Sequence, residues 1–527
     1  MKTTSRHTGR VAAATPRFGI IALGLLALGL SDLARAATAT AVGCESLAGT
    51  ALPRASITLA RSVSAGAFQA PPQSPRFSPG TDFAGHYQQG SNPAFCRIVA
   101  TLKPSADSEI GIEVWLPQSG WNGKFLAVGS GGWGGLIMYP GMLSGLQEGY
   151  AVANTDTGHR GNDGSFAVGH PEKLIDYAYR ANHEMVVDAR IIINAFYGRA
   201  PTRSYWVGCS LGGLEGLIEA KRYPDDFDGI VAGAPPNPIV NFNALQLWAD
   251  ALIAQDSARL IPREKYAMVH AAVVKACGSS IGQEDNLVDE PDRCGWDPRS
   301  LRCRGADAPD CLTAAQIFLL QQTYRGPVNP RTKQVIFPGP AKGSELELFG
   351  FASGQPMAVA LDIYRYAAFQ NPAWDGSKMD WDRDVDAAIS KLGPLIHVDS
   401  DLKPFFDHGG KLLMYIGWTD YHNPQQLIEF YKSVIAHAGK SSRDQVRLFT
   451  IPGMAHCQGG QGCDTFNKMG TMDQWVDQNK SPERIVAVKL TDGKVARSRP
   501  LCAYPKMARY SGAGDTRNAA SFICAEK

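Results

Sequence analysis

Gly208-Cys209-Ser210-Leu211-Gly212 carries the pattern G-x-S-x-G, and its neighbours supply the context that pattern needs. Tyr205-Trp206-Val207 reads as the end of a strand, and Gly213-Leu214-Glu215-Gly216-Leu217 as the start of a helix. A serine at such a turn is held at the carboxyl end of a sheet strand and the N-terminus of a helix. Flanking glycines let the backbone turn sharply without side-chain clashes. With 55 glycines in the chain, a turn that only packs a helix is the competing reading, and the flanking strand and helix favour the nucleophile. The chemistry would be attack on a carbonyl. A serine hydroxyl is a poor nucleophile at neutral pH, so a base must lie within hydrogen-bond reach and an acid must orient it.

The base belongs in a loop after a late strand, with the acid before it in chain order, as in α/β-hydrolases. Eleven histidines compete. His7 falls in the N-terminal segment, and His183 and His270 lie in helical patterns that suit structural roles. His456 sits in Ile451-Pro452-Gly453-Met454-Ala455-His456-Cys457, directly after a strand ending at Thr450, and is the preferred base. Asp420, in Gly417-Trp418-Thr419-Asp420 after the strand at 412–416, is the preferred acid. His422 and His408 are the nearby alternatives for the base. Cys209 directly precedes Ser210 and Cys457 directly follows His456. A triad would bring these two cysteines close to the Cα separation of about 4.4–6.8 Å that a disulfide needs.

An oxyanion hole needs two preorganised N–H donors. The amide of Leu211, just past the serine, is one. The other is expected in Gly129-Ser130-Gly131-Gly132-Trp133-Gly134-Gly135, after the strand at 124–128; Gly132 is chosen, with Gly131 as the alternative. No G-K-[ST] follows this loop, which disfavours phosphate binding, and no H-E-x-x-H ligand spacing points to a metal-dependent hydrolase.

The elements that must position these residues are strands alternating with helices. Strand-like runs at 110–116, 124–128, 150–154, 203–207, 229–232, 411–416 and 445–450, with a helical pattern at 181–196, imply βαβ units and a mostly parallel sheet. The alternation lapses between about 240 and 400, where cysteines, prolines and aromatic residues replace it. The simplest division is a catalytic domain of residues 37–239 and 401–527 with a large lid domain, 240–400, inserted into it. The lid aromatics Tyr364, Tyr366, Phe369, Trp374 and Trp381 suit either a flat aromatic ligand or the lid's own core.

Lys2, Arg6, Arg10 and Arg17, the apolar run 19–30 and Ala34-Arg35-Ala36 have the layout of a secretory signal peptide, residues 1–36. Eleven cysteines fit an oxidising compartment, so a secreted or periplasmic protein is expected, with no membrane segment after cleavage. The odd total leaves at least one thiol unpaired within a single chain, for which Cys463 is the candidate. Cys303 with Cys311 and Cys277 with Cys294 are geometrically easy pairs, although sequence alone does not fix connectivity. The 52 Lys+Arg against 50 Asp+Glu leave a net charge of +2, too little to neutralise a phosphate backbone, so no nucleic-acid partner is expected.

With Cys209-Ser210, Asp420 and His456-Cys457 in place, the sequence resembles the tannase/feruloyl esterase family of α/β-hydrolases, from about Cys44 to the C-terminus. Supporting stretches are Thr155-Asp156-Thr157-Gly158-His159, His170-Pro171-Glu172-Lys173 with Asp176 and Tyr179-Arg180-Ala181, and Arg499-Pro500-Leu501-Cys502 with Ala508-Arg509-Tyr510. The resemblance implies a serine–aspartate–histidine triad with bridged cysteine neighbours, a lid over the site, and the pairs Cys44–Cys96, Cys209–Cys457, Cys277–Cys294, Cys303–Cys311 and Cys502–Cys524. It implies a small aromatic ester as substrate: a feruloyl or other hydroxycinnamoyl ester or a galloyl ester, with mono(2-hydroxyethyl) terephthalate as the alternative. A non-catalytic binding module of the same fold is the rival from another class, and it predicts a broken triad. No cofactor is required for the chemistry. The resemblance implies a lid loop like the C-D-x-x-D-G-x-x-D-G-x-[IV]-D in which many relatives bind calcium, whereas here Gly278 and Ile281 stand where the first two carboxylates would be. Asp285, the carbonyl of Leu287 and Asp289 remain as donors to an ion that prefers about six to eight oxygens, so the site is expected to be degraded.

Overall fold

Short runs of β-branched and aromatic residues build a nine-stranded sheet in a computed structural model that describes residues 43–71 and 92–526. The signal-peptide reading of residues 1–36 lies outside the described residues. The strands are β1 (Ala55–Val63), β2 (Phe95–Leu102), β3 (Ile110–Pro117), β4 (Lys124–Val128), β5 (Ala151–Thr155), β6 (Arg203–Cys209), β7 (Gly229–Gly233), β8 (Lys411–Gly417) and β9 (Val446–Ile451), in spatial order β1-β2-β3-β5-β4-β6-β7-β8-β9. The first three pair antiparallel, β3 pairs antiparallel with β5, and every pair from β5 to β9 is parallel. Helices Tyr139–Gln147, Ala181–Tyr197, Leu211–Arg222 and Pro424–Ala438 make the crossovers. Parallel strands covered by helices on both faces read as continuous apolar runs. Phe125-Leu126-Ala127-Val128 and Ile230-Val231-Ala232 are fully buried for that reason.

Parallel pairing brings the carboxyl ends of β4, β6, β8 and β9 to one edge of the sheet. The glycine loop, Ser210, Asp420 and His456 all follow those ends. This is the strand order and crossover pattern of the α/β-hydrolase fold expected from the sequence.

Residues 234–410 separate β7 from β8 and carry the helices Ile239–Gln255, Lys265–Cys277, Ala314–Arg325 and Arg383–Ile396. Leu252, Ile261, Val269, Leu312, Leu320 and Phe351 give this insertion a core of its own. Ile363, Tyr364, Val385 and Leu392 join the core of the sheet instead, so the later part of the insertion packs as its extension. Tyr364 stacks on Trp374 at 5.3 Å and lies near Phe369, while Trp381 packs edge-on against Trp248 at 4.8 Å.

Disulfides link Cys44–Cys96, Cys209–Cys457, Cys277–Cys294, Cys303–Cys311 and Cys502–Cys524, and Cys463 is buried and free. The last bridge joins two C-terminal hairpins, β10 (Arg484–Thr491) with β11 (Lys494–Cys502) and β12 (Met507–Tyr510) with β13 (Phe522–Ala525).

Candidate active site

Ser210 occupies the turn between β6 and the helix Leu211–Arg222 with φ 61° and ψ −128°. That region is costly for a residue with a side chain and persists only where the surroundings over-determine it. Here its amide donates to the Gly233 carbonyl at 3.0 Å, and its carbonyl accepts from the Gly213 and Leu214 amides at 3.0 and 3.1 Å. The glycines of the motif serve close approach. A Cβ on Gly208 would stand 2.3 Å from the Gly212 oxygen, and one on Gly213 would stand 2.1 Å from the Gly233 oxygen.

Asp420 follows β8 and is fully buried; His456 follows β9. His456 Nδ1 lies 3.0 Å from both carboxylate oxygens of Asp420, so the carboxylate holds the proton on Nδ1 and leaves Nε2 as the basic atom. Asp420 also accepts from the His422 amide at 2.8 Å. Burial pushes the Asp420 carboxyl up, but the charge and hydrogen bond of His456, with His422 beside it, outweigh burial and hold it below the usual carboxylate range.

The Cys209–Cys457 bridge brings the loops bearing Ser210 and His456 to a Cα separation of 5.9 Å at the cysteines. His456 Nε2 lies 3.7 Å from the Cys457 sulfur, on the side of that bridge. Ser210 and His456 share the wall of a cavity of about 300 Å³. No hydrogen bond joins the Ser210 hydroxyl to His456 Nε2 among the described residues. Such contacts are often long without substrate and tighten in the Michaelis complex.

Leu211 is the first residue of its helix, where an amide has no intrahelical acceptor, and it lines the same cavity. Gly131 and Gly132 both reach that wall, so the geometry admits either as the second oxyanion donor. Their loop is pinned from three sides. The Ser130 amide donates to Glu215 at 2.7 Å, the Trp133 amide to Asn162 at 2.7 Å, and the Gly212 amide to the Ser130 carbonyl at 2.9 Å. Glu215 is fully buried, and burial pushes its carboxyl up to about 7.

The other histidines are engaged elsewhere. His422 Nδ1 donates to the Ala234 carbonyl at 2.8 Å, and burial together with the adjacent His456 pushes its pKa down to about 3. It is a neutral part of the cavity wall with its ring 4.0 Å from that of His456. His408 pairs with Asp225 at the surface, His183 with Asp226 and His270 with Glu345.

Sequence reading overlooked much of the cavity wall: Asn162, Phe242, Asn243, Gln246, Met357 and Tyr421. The available signal was the presence of polar residues, Asn241, Asn243, Gln246 and Asp250, inside the mostly apolar run Ile239–Gln255. None of the five lid aromatics lines this cavity. Volume alone would mislead, because a groove of about 640 Å³ beside Arg222, Pro394 and His397 is lined by no serine, threonine or cysteine. The stretch containing Glu172, Asp176 and Arg180 is a structural clamp in which Arg180 holds both acids.

The residues proposed for calcium are otherwise occupied. Asp285 lies 2.6 Å from Arg499 and 3.0 Å from Arg497, and Asp289 accepts the Ser279 amide at 3.0 Å. Ser280–Glu284 has folded into a helical turn where the ion's loop would run. A cluster already neutralised by two guanidinium groups, with two carboxylates in total, does not fit an ion that needs about six to eight oxygens.

The sheet order, the crossovers and the strained turn after β6 define an α/β-hydrolase. The sequence profile described as "Tannase and feruloyl esterase" matches residues 96–525. An uncharacterised esterase of Xanthomonas campestris pv. campestris is 35% identical over 543 residues, spanning 92% of this chain and 91% of that protein. A probable feruloyl esterase B-1 of Aspergillus oryzae is 33% identical over 457 residues, spanning 82% and 84%. The crystal structure of feruloyl esterase B from Aspergillus oryzae superposes with a TM-score of 0.83 at 31% identity, covering 92% of this chain and 99% of that one. The chain belongs to the tannase and feruloyl esterase family and is a carboxylic ester hydrolase.

Proposed function

We propose that this protein is an exported serine esterase of aromatic carboxylic acids, cleaving hydroxycinnamoyl or galloyl esters through an acyl-enzyme. His456 Nε2 takes the Ser210 proton as the hydroxyl attacks the ester carbonyl. The Leu211 amide and a glycine amide at 131 or 132 receive the developing oxyanion. His456 returns the proton to the leaving alcohol, and water repeats the sequence on the acyl-enzyme while Asp420 steadies the imidazolium. The observation that carries this reading is one cavity shared by Ser210 and an Asp420-oriented His456, with a disulfide between their neighbours. A non-catalytic module has no need of that arrangement.

Ile239, Phe242, Met357, Val359 and Tyr421 give the cavity an apolar and partly aromatic wall, which supports an aromatic group in the substrate. Neither Lys nor Arg lines it, so the free carboxylate of a terephthalate monoester would meet no cationic side chain there, and that alternative gains nothing. Export is supported by the N-terminal sequence and the five disulfides. Among the described residues no helix is long and apolar enough to cross a membrane.

The test is labelling with a fluorophosphonate, followed by peptide mass mapping, together with steady-state hydrolysis of methyl ferulate and methyl gallate. The adduct should sit on Ser210, and Ser210→Ala should lower kcat by ~10⁴-fold or more. Turnover surviving that substitution, or an adduct on another residue, refutes the mechanism.

A further inference from the structure

At the amino ends of the parallel strands, away from the loops that carry the triad, His183, Glu219 and Asp226 converge. His183 stands in the helix Ala181–Tyr197, Glu219 in the helix Leu211–Arg222, and Asp226 in the loop that leads into β7. One nitrogen or carboxylate oxygen from each lies within 4.8 Å of the other two. Glu219 is 1% exposed, and no donor among the described residues reaches either of its carboxylate oxygens. Asp226 is also buried; it pairs with His183 Nδ1 at 2.7 Å, and Arg190 approaches its other oxygen at 3.4 Å. The guanidinium of Arg190 donates to Asp226 and Ser204 and makes no hydrogen bond to Glu219. Two buried carboxylates this close, one of them without a donor, require a cation or a shared proton between them.

We propose that His183, Glu219 and Asp226 bind a divalent transition-metal ion of the zinc class, as a clasp outside the ester chemistry. One imidazole and two carboxylates suit zinc and fall far short of the six to eight or so oxygens that calcium prefers. Zinc takes such donors at about 2.0–2.2 Å, so ligand atoms roughly 3.3 Å apart fill three corners of a tetrahedron, and small side-chain rotations close the present span. Binding displaces the proton between His183 and Asp226 and gives Glu219 the partner it lacks. Tyr223 stacks on the His183 ring at 3.8 Å and fixes its plane. Water completes the shell on the side where His183 is partly exposed. The ion would tie two crossover helices to the start of β7, and one of those helices begins directly after Ser210. Arg190 offsets one of the two carboxylate charges and the His183 side is open, so the ion exchanges with solvent and leaves protein held without added metal.

The experiment adds zinc to protein purified without added metal and follows Tm, and adds cobalt(II) and follows its d–d absorption. At about a hundredfold excess over Kd, zinc should raise Tm by about 3 °C. Cobalt should give the intense bands of a four-coordinate ion at one equivalent per chain. Glu219→Gln, whose amide can donate to Asp226, and His183→Phe, which keeps the stack on Tyr223, should lose both responses. His456→Ala is the control, because Asp420, His422 and His456 are also grouped closely enough to hold an ion, and it should keep both responses. No response in wild type overturns the proposal, and a Glu219→Gln variant that then melts at or above wild type marks a proton shared by Glu219 and Asp226. A response that survives either substitution, or disappears with His456→Ala, overturns it too. If a variant fails to fold, anomalous diffraction at the zinc edge from wild-type crystals grown with zinc decides. A peak among the three side chains upholds the site, and no peak there refutes it.

Discussion

Replacing Cys209 and Cys457 together by alanine removes the covalent link between the Ser210 loop and the His456 loop without leaving a stray thiol. The bond closes a loop across 248 residues, and releasing that constraint on the unfolded chain is worth up to ~5 kcal/mol in the chain-entropy treatment. The Thr40–Lys527 unit has an unfolding entropy of roughly 1 kcal/mol/K, so Tm should fall by about 5 °C. The larger effect is expected in turnover. Ser210 and His456 are the immediate neighbours of the bridged cysteines, whose Cα atoms are held 5.9 Å apart. A drift of ~1 Å between reacting groups costs ~10²-fold. The double variant should therefore lose about 10- to 100-fold in kcat/KM on methyl ferulate at a temperature well below its Tm. The control is Cys44→Ala with Cys96→Ala, which opens a bridge spanning 52 residues and is worth up to ~4 kcal/mol by the same treatment. That variant should show a similar fall in Tm with wild-type kcat/KM. If the Cys209/Cys457 variant keeps full turnover, or the control loses as much activity, the bridge does not hold the catalytic loops in register.

Glu215 makes a pH-dependent contribution. Burial keeps its proton on up to about 7, whereas the unfolded carboxyl has lost it above about 4.5, so stability falls as pH rises through that window, by up to ~3 kcal/mol. Glu215→Gln should flatten this dependence in calorimetric Tm–pH profiles; an unchanged slope assigns it elsewhere. Glu215→Ala frees the Ser130 amide and should lower kcat with little change in KM, because the glycine loop loses an anchor rather than a substrate contact. Chelation with EDTA should leave Tm unchanged, while Asp285→Asn should cost up to ~3 kcal/mol in denaturant unfolding by leaving Arg497 and Arg499 with an uncompensated charge. A Tm that falls with EDTA and recovers with calcium would overturn the arginine reading of that loop.

The parallel half of the sheet was legible because strands buried on both faces leave unbroken apolar runs such as Phe125-Leu126-Ala127-Val128. The edge was not. Strand β1 mixes Ser56, Thr58 and Arg61 with apolar residues because one face meets solvent, and its partner β2 lies beyond a long intervening segment. The C-terminal hairpins were missed for a related reason: Lys489, Lys494, Arg497 and Arg499 punctuate β10 and β11, which are half-exposed and lean on a disulfide. The aromatic residues of the insertion announced burial but not against what. Tyr364, Phe369 and Trp374 found each other.

The site divides along a similar physical line. Ser210, Asp420 and His456 stand next to elements whose type is readable locally, a strand end followed by a glycine turn or a short loop, so their convergence follows from parallel pairing alone. Cavity-wall residues have no such address. Asn243 and Gln246 belong to a helix that buries nearly its whole circumference, so periodicity gives no face to prefer. Which side chains face a cavity is a three-dimensional property, visible only once every neighbour is in place, and for that reason the cavity wall is the part of this protein that its sequence conceals.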